Sequence, residues 1–160
     1  MVIPRSHRAL VPIRATSPRR QALPVSAFAY NLSGARPYQR EGIPWLGAHR
    51  YALLAYEMRL GKTLTALRAL PRRASALAVC PAIVTRVWRD EVAKWRPDLR
   101  ATRLLGRDFR APHEGEVLIC SYASLPDVSG PGTALVPFSL GHCKLILDEL
   151  HYAKNDLAQR

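Results

Sequence analysis

Two short clusters in this chain have the residue types and spacing to handle a phosphorylated ligand. The first is Gly61-Lys62-Thr63, which follows the apolar run at residues 51–55 and precedes a helix-like pattern. A buried strand that feeds a tight turn opening into a helix presents a row of backbone N–H groups to an anion. In such a turn Lys62 reaches the β- and γ-phosphates of a nucleotide and the Thr63 hydroxyl sits on Mg²⁺. A lysine on a solvated turn would carry the same tripeptide, so the elements around it decide. The second cluster is Asp148-Glu149, adjacent carboxylates that close the apolar run KLIL at residues 144–147. A third candidate is Gln39, in ARPYQREGIPWLGA. Its side-chain amide donates and accepts at once and so matches the N6/N7 edge of adenine, although a surface glutamine is the simpler reading of that residue alone.

The elements that must position these residues follow from periodicity. Pro37 suits the first turn of a helix, Tyr38 and Trp45 are large anchors, and Gly42 with Pro44 predicts that this helix is short or kinked. Thr63 to Leu70 reads as helix, ended by Pro71-Arg72-Arg73. SALAVC at 75–80 reads as a buried strand stopped by Pro81. In residues 83–95, Val84, Val87, Trp88, Val92 and Trp95 recur at helical spacing, so one face packs while Arg86, Arg89, Glu91 and Lys94 stay in water. Residues 100–105 and 116–122 read as strands, residues 125–141 as a loop rich in Pro, Gly and Ser, and residues 144–147 as a last strand. Apolar strands alternating with amphipathic helices predict an α/β fold, a parallel sheet with helices on both faces. Ligands bind such sheets at the carboxyl ends of the strands, and Lys62 and Asp148 both lie just past such ends.

Composition narrows the classes. The 160 residues carry 24 basic and 12 acidic side chains, a net charge of +12, and only four of the basic residues are lysines. That balance suits a partner rich in phosphate. A hydrophobic content of 48% argues for a globular fold, and the apolar runs are too short and too interrupted to span a membrane. Cys80, Cys120 and Cys143 form no CxxC pair and read as core thiols rather than as a disulfide or a zinc site. Residues 1–34 form an irregular basic arm: Arg5, Arg8, Arg14, Arg19 and Arg20 stand among scattered prolines, and the first acid is Glu41. Such an arm can lie along a phosphate backbone, act as a transit segment, or be a solvated tail.

Five blocks in order resemble the first motor lobe of superfamily-two helicases and translocases (DEAD/DEAH-type), most closely the Swi/Snf-like branch. ARPYQREG is similar to the adenine-reading Q motif, and LLAYEMRLGKT to motif I, usually LADEMGLGKT. LAVCPAIVTRVWRDEVAKW resembles motif Ia, ICSYASL motif Ib, and LILDELHYAKN the motif II segment LIIDEAHRIKN. The resemblance covers residues 35–160 and implies a P-loop, RecA-like ATP-binding lobe that uses ATP and Mg²⁺. By that resemblance Gln39 reads the adenine, Gly61 and Lys62 hold the phosphates, and Thr63 with Asp148 places Mg²⁺. Glu149 orients and deprotonates the attacking water, and His151 couples the nucleotide state to the rest of the motor. Thr85 and Ser121 are implied to lie against a nucleic-acid backbone, or else to serve as helix and strand caps.

Two departures fall inside the phosphate loop. Tyr56 stands where the branch has Asp, and Arg59 stands where it has Gly, giving up conformational freedom while adding a positive charge beside the phosphates. The resemblance further implies duplex DNA as partner, no membrane, and action in the cytoplasm of a prokaryote or virus host or in the nucleus of a eukaryote. It also implies that the lobe is incomplete after motif II and works with a second RecA-like lobe in cis or in trans. The alternatives are a non-catalytic module that binds nucleotide or nucleic acid beside a separate second lobe, and an unrelated P-loop enzyme such as a small kinase.

Overall fold

A computed structural model describes residues 10–12, 30–104, 110–125 and 143–151. The arginines of the basic arm and nearly all of the loop predicted at 125–141 lie outside the described residues. The chain divides into two compact units, Met1–Pro71 and Arg72–Arg160.

In the first unit, strand β1 (Leu10–Pro12) pairs antiparallel with β2 (Ala52–Leu54), Val11 opposite Leu53. Helix α1 (Pro37–Ala48) precedes β2, and α2 (Lys62–Arg68) follows the turn. Pro37 opens α1 as expected, because a missing N–H costs nothing in a first turn. Gly42 and Pro44 do not end it early. The helix runs through both for 12 residues. Gly42 has a packing role: a Cβ there would collide with the Tyr56 hydroxyl. α2 starts at Lys62 and stops at Arg68, slightly earlier at both ends than the pattern predicts.

Strand β2 corrects a sequence expectation. It is three residues long, half-exposed, with Leu53 46% accessible, and it pairs with β1 rather than joining the parallel sheet. With Leu53 facing solvent, β2 lacks the two-sided burial that a central parallel strand has.

The second unit holds the parallel sheet, in the order β4-β5-β3-β6. Its members are β3 (Ala76–Cys80), β4 (Arg100–Arg103), β5 (Glu116–Ser121) and β6 (Lys144–Leu147), every neighbouring pair parallel. The central strands β3 and β5 are buried along their whole length, as expected where both faces of a sheet are covered, whereas β6 alternates between half-buried and exposed residues. On one face Leu77, Val79, Leu118 and Cys120 form a core that Leu104, Tyr122, Leu125 and Cys143 pack against.

Helix α3 (Thr85–Trp95) follows β3 through a short 3₁₀ turn at Ala82–Val84. Its buried stripe is Thr85, Trp88 and Val92, at i, i+3 and i+7, with Trp95 half-buried at its end. Val87 was expected in that stripe but is 54% exposed, one step around the helix from Trp88. Cys80 and Cys120 are buried free thiols, as the sequence predicts. Burial pushes their pKa values up, to about 12 and about 11. No helix among the described residues is long and apolar enough to cross a membrane.

Candidate nucleotide-binding residues

The phosphate-loop candidates are held together inside the first unit. Gly61, the residue before α2, has φ 73° and ψ 41°, the left-handed conformation that glycine adopts without penalty. No side chain caps α2 there. The first N–H groups of any α-helix lack intrahelical acceptors, so this end is available to an anion. A Cβ on Gly61 would lie 2.6 Å from Gln39 Nε2. Glycine is thus required by backbone conformation, and a Cβ would in addition displace the Gln39 amide.

Gln39 is not a surface residue: it is 5% exposed. Its Oε1 accepts from Arg36 N at 3.0 Å, helping to cap α1, and its Nε2 donates to Leu60 O at 3.1 Å. The Tyr38 hydroxyl donates to the same carbonyl at 3.2 Å. Two side chains of α1 therefore hold the loop one residue before Gly61. The amide keeps one N–H and one lone pair with no described partner, which is the pair of functions an adenine edge needs.

Lys62 Nζ donates to the Tyr56 carbonyl at 3.1 Å, bending back over its own loop. Thr63 is half-buried on the first turn of α2. Tyr56, the larger departure from the usual motif, is 9% exposed and donates from its hydroxyl to Tyr38 O at 3.0 Å. Its ring meets that of Tyr38 edge-on, with centroids 5.4 Å apart. Burial raises the Tyr56 pKa, so the phenol stays neutral. The residue that replaces an aspartate thus packs the loop onto α1. Arg59 has φ 65°. The loop keeps the left-handed turn for which glycine is the usual residue, and an exposed arginine adopts it at a cost of about 1–2 kcal/mol.

In the second unit, Asp148 follows the last residue of β6. Its backbone N–H donates to Val79 O at 2.9 Å, and its carbonyl accepts from the Tyr122 hydroxyl at 2.8 Å. Its Oδ2 accepts from the Trp88 indole N–H at 2.8 Å. Trp88 and Tyr122 are contacts that the periodicity reading missed. A buried tryptophan needs an acceptor for its N–H, and a carboxylate at the end of an apolar strand was the available signal. Glu149 has φ 51°, so the chain turns sharply after Asp148. Its Oε2 lies 3.3 Å from His151 Nδ1, and both side chains are substantially exposed.

The two residues proposed to touch nucleic acid are engaged locally. Thr85 Oγ1 donates to Ala82 O at 2.9 Å, closing the first turn of α3. Ser121 Oγ accepts from Ser124 N at 3.2 Å and pairs with Ser124 Oγ at 2.7 Å, capping the 3₁₀ turn Tyr122–Ser124. Both are buried.

Mg²⁺ carried by a nucleotide needs only one or two protein oxygens, because phosphates and water supply the others. Among the described contacts the Thr63 hydroxyl of the first unit and Asp148 Oδ1 of the second each lack a partner, and each by itself is an oxygen of the kind such an ion takes. A site built from protein ligands alone would need more, and no group of three or more His, Cys, Asp or Glu among the described residues could hold a metal.

The parallel sheet, its helix α3 and the Asp-Glu pair after β6 make the second unit an α/β fold, and the first unit carries the glycine turn that opens into α2. The chain belongs to the SNF2-related domain family, whose model matches residues 38–160. It is 30% identical over 154 residues to the Saccharomyces cerevisiae ISWI chromatin-remodeling complex ATPase ISW1, covering 80% of this chain and 13% of that protein. It is 28% identical over 153 residues to the TATA-binding protein-associated factor mot1 of Aspergillus fumigatus, covering 78% of this chain and 8% of the relative. Among solved structures, the Sulfolobus solfataricus SWI2/SNF2 ATPase core in complex with dsDNA superposes with a TM-score of 0.45 at 24% identity, over 64% of this chain and 24% of that one.

Proposed function

We propose that residues 35–160 are the ATP-binding lobe of a DNA-dependent ATPase that couples hydrolysis to movement on duplex DNA together with a second RecA-like lobe. The observation that carries this reading is the family match over residues 38–160, which spans both the Gly61-Lys62-Thr63 turn and Asp148-Glu149. In this reading the uncapped start of α2 and the Lys62 ammonium bind the phosphates, and the Gln39 amide meets the adenine. Thr63 and Asp148 each supply an oxygen to Mg²⁺, whose role when bound is to neutralise charge on the phosphates. Glu149 accepts the proton of the attacking water, and His151, paired with Glu149, passes the state of that carboxylate onward. Arg59 adds a positive charge to the loop. Thr85 and Ser121 place their elements, α3 and the turn after β5, near the DNA backbone, and the arm at residues 1–34 adds affinity that does not depend on sequence.

Phosphate release from ATP and Mg²⁺, measured with and without duplex DNA, tests the reading. Release that DNA stimulates and that Glu149→Gln removes is expected when the second RecA-like lobe is supplied in cis or in trans, and little release is expected from residues 1–160 alone. Nucleotide binding with no release under any condition would point instead to a non-catalytic module. Absence of nucleotide binding would overturn both.

A further inference from the structure

We propose that Trp88 and Tyr122 are positioning residues for Asp148, the indole N–H occupying Oδ2 so that only Oδ1 is offered to a divalent cation, and the Tyr122 hydroxyl fixing the peptide that carries it. The inference rests on the reading of Asp148 as a Mg²⁺ ligand.

Asp148 sits at the end of an edge strand, and Glu149 turns away immediately after it with φ 51°. Nothing in β6 itself fixes the rotamer of a carboxylate at such a position. The fixing comes from three other elements. Val79 of β3 accepts the Asp148 N–H at 2.9 Å. Tyr122, just after β5, donates to the Asp148 carbonyl at 2.8 Å. Trp88 of α3 donates to Oδ2 at 2.8 Å. Trp88 is 3% exposed, so its N–H has no recourse to water and the bond to a carboxylate is charge-assisted. Backbone and side chain of one aspartate are thereby set by partners 26 and 60 residues away in sequence.

Occupying Oδ2 has a chemical consequence. A carboxylate with both oxygens accessible can chelate a cation, a mode that Ca²⁺ accepts readily in its large and flexible coordination sphere. Mg²⁺ requires near-octahedral geometry and takes a carboxylate through one oxygen. A tryptophan N–H on Oδ2 therefore restricts Asp148 to the mode suited to Mg²⁺ or Mn²⁺ and works against Ca²⁺. This selectivity separates a positioning role from a merely structural tie between α3 and the sheet.

The test is the binding of Mn²⁺ to the full chain with ADP, followed by electron paramagnetic resonance, with Ca²⁺ as competitor. Trp88→Phe removes the N–H but also some core volume. A second variant therefore replaces Trp88 with benzothienylalanine, which keeps the ring size and substitutes sulfur for the N–H. Both replacements should weaken Mn²⁺ about tenfold, the usual range for groups that orient a metal ligand. Ca²⁺ should be unchanged or tighter, so the preference for Mn²⁺ over Ca²⁺ falls about tenfold. Tyr122→Phe should weaken Mn²⁺ about fivefold, as loss of one neutral hydrogen bond predicts. Without any metal, the Trp88 indole proton resonance should move when Asp148→Asn is introduced. Equal Mn²⁺ affinity in wild type and Asp148→Asn would remove the underlying reading. A loss on Asp148→Asn with none on either Trp88 replacement, or equal losses of Mn²⁺ and Ca²⁺, would overturn the inference alone.

Discussion

Glu116 opens β5, the strand that leads to Ser121 and Tyr122, and its carboxylate accepts four hydrogen bonds. It is 2% exposed. Arg110 grips it with Nη1 on Oε2 and Nη2 on Oε1, each at 2.7 Å. Thr102 Oγ1 donates to Oε1 at 2.6 Å, and the His113 backbone N–H donates to Oε2 at 2.9 Å. The bonds from Arg110 hold the Glu116 pKa down to about 2 from an ordinary 4.5, against a desolvation cost that pushes the other way. A depressed carboxylate contributes stability that is complete above the unfolded value and lost as pH falls through the folded one. A shift from 4.5 to about 2 corresponds to about 3 kcal/mol at neutral pH, lost between roughly pH 5 and 2. Glu116→Gln keeps the shape but turns one acceptor into a donor facing groups that also donate. Its cost at pH 7 should be about 3 kcal/mol, at the low end for a broken buried pair because Arg110 is partly exposed and regains water. Urea denaturation of both proteins at several pH values is the assay. The difference between them isolates Glu116, since Asp98, held down mainly by its hydrogen bond from Arg96, shifts in the same direction in each. The two stabilities should converge toward pH 2. A difference under 1 kcal/mol at pH 7, or one that does not change with pH, would refute the reasoning.

Arg59→Gly should raise stability by about 0.5–1 kcal/mol, the left-handed penalty less glycine's extra entropy when unfolded, and an unshifted urea midpoint would rule out strain at φ 65°. Gly61→Ala should cost about 2 kcal/mol and abolish nucleotide binding, since it combines a positive φ with overlap on Gln39 Nε2; wild-type affinity in a folded variant would show that the loop tolerates a Cβ. Changing Arg5, Arg8, Arg14, Arg19 and Arg20 to glutamine leaves β1 in place and should flatten the salt dependence of DNA binding, whose slope is roughly −0.9 per phosphate neutralised. An unchanged slope would make the arm a bystander.

The parallel sheet and its helix α3 were legible because residues 76–80 and 117–120 are continuous apolar runs, as two-sided burial requires. The order of the motif blocks was legible for the same local reason, each being a few adjacent residues. Pairing between distant segments was not. Nothing in Leu-Val-Pro at 10–12 announces a partner at 52–54, because three residues carry no alternation to read. The burial of Gln39 was not legible from its own helix pattern, where a surface glutamine is the simpler reading, since its contacts are with Leu60 and Gly61, more than twenty residues away. The sequence placed Val87 and Trp88 in one packed face, but a helix buries a stripe, and their neighbouring positions cannot both occupy a narrow one. The donors on Asp148 were invisible to periodicity and accessible only through the rule that a buried indole N–H finds an acceptor.

Whether the Gly61-Lys62-Thr63 turn receives the phosphates of a nucleotide is measured most directly by titrating a fluorescent ATP analogue, with Mg²⁺, into wild type and Lys62→Ala. A hydrogen bond from an ammonium to a phosphate is worth about 1.5–3 kcal/mol, so the variant should bind at least about tenfold more weakly, with an unchanged urea midpoint. Equal affinity of the two proteins for the analogue would contradict the assignment of Lys62 to the phosphates.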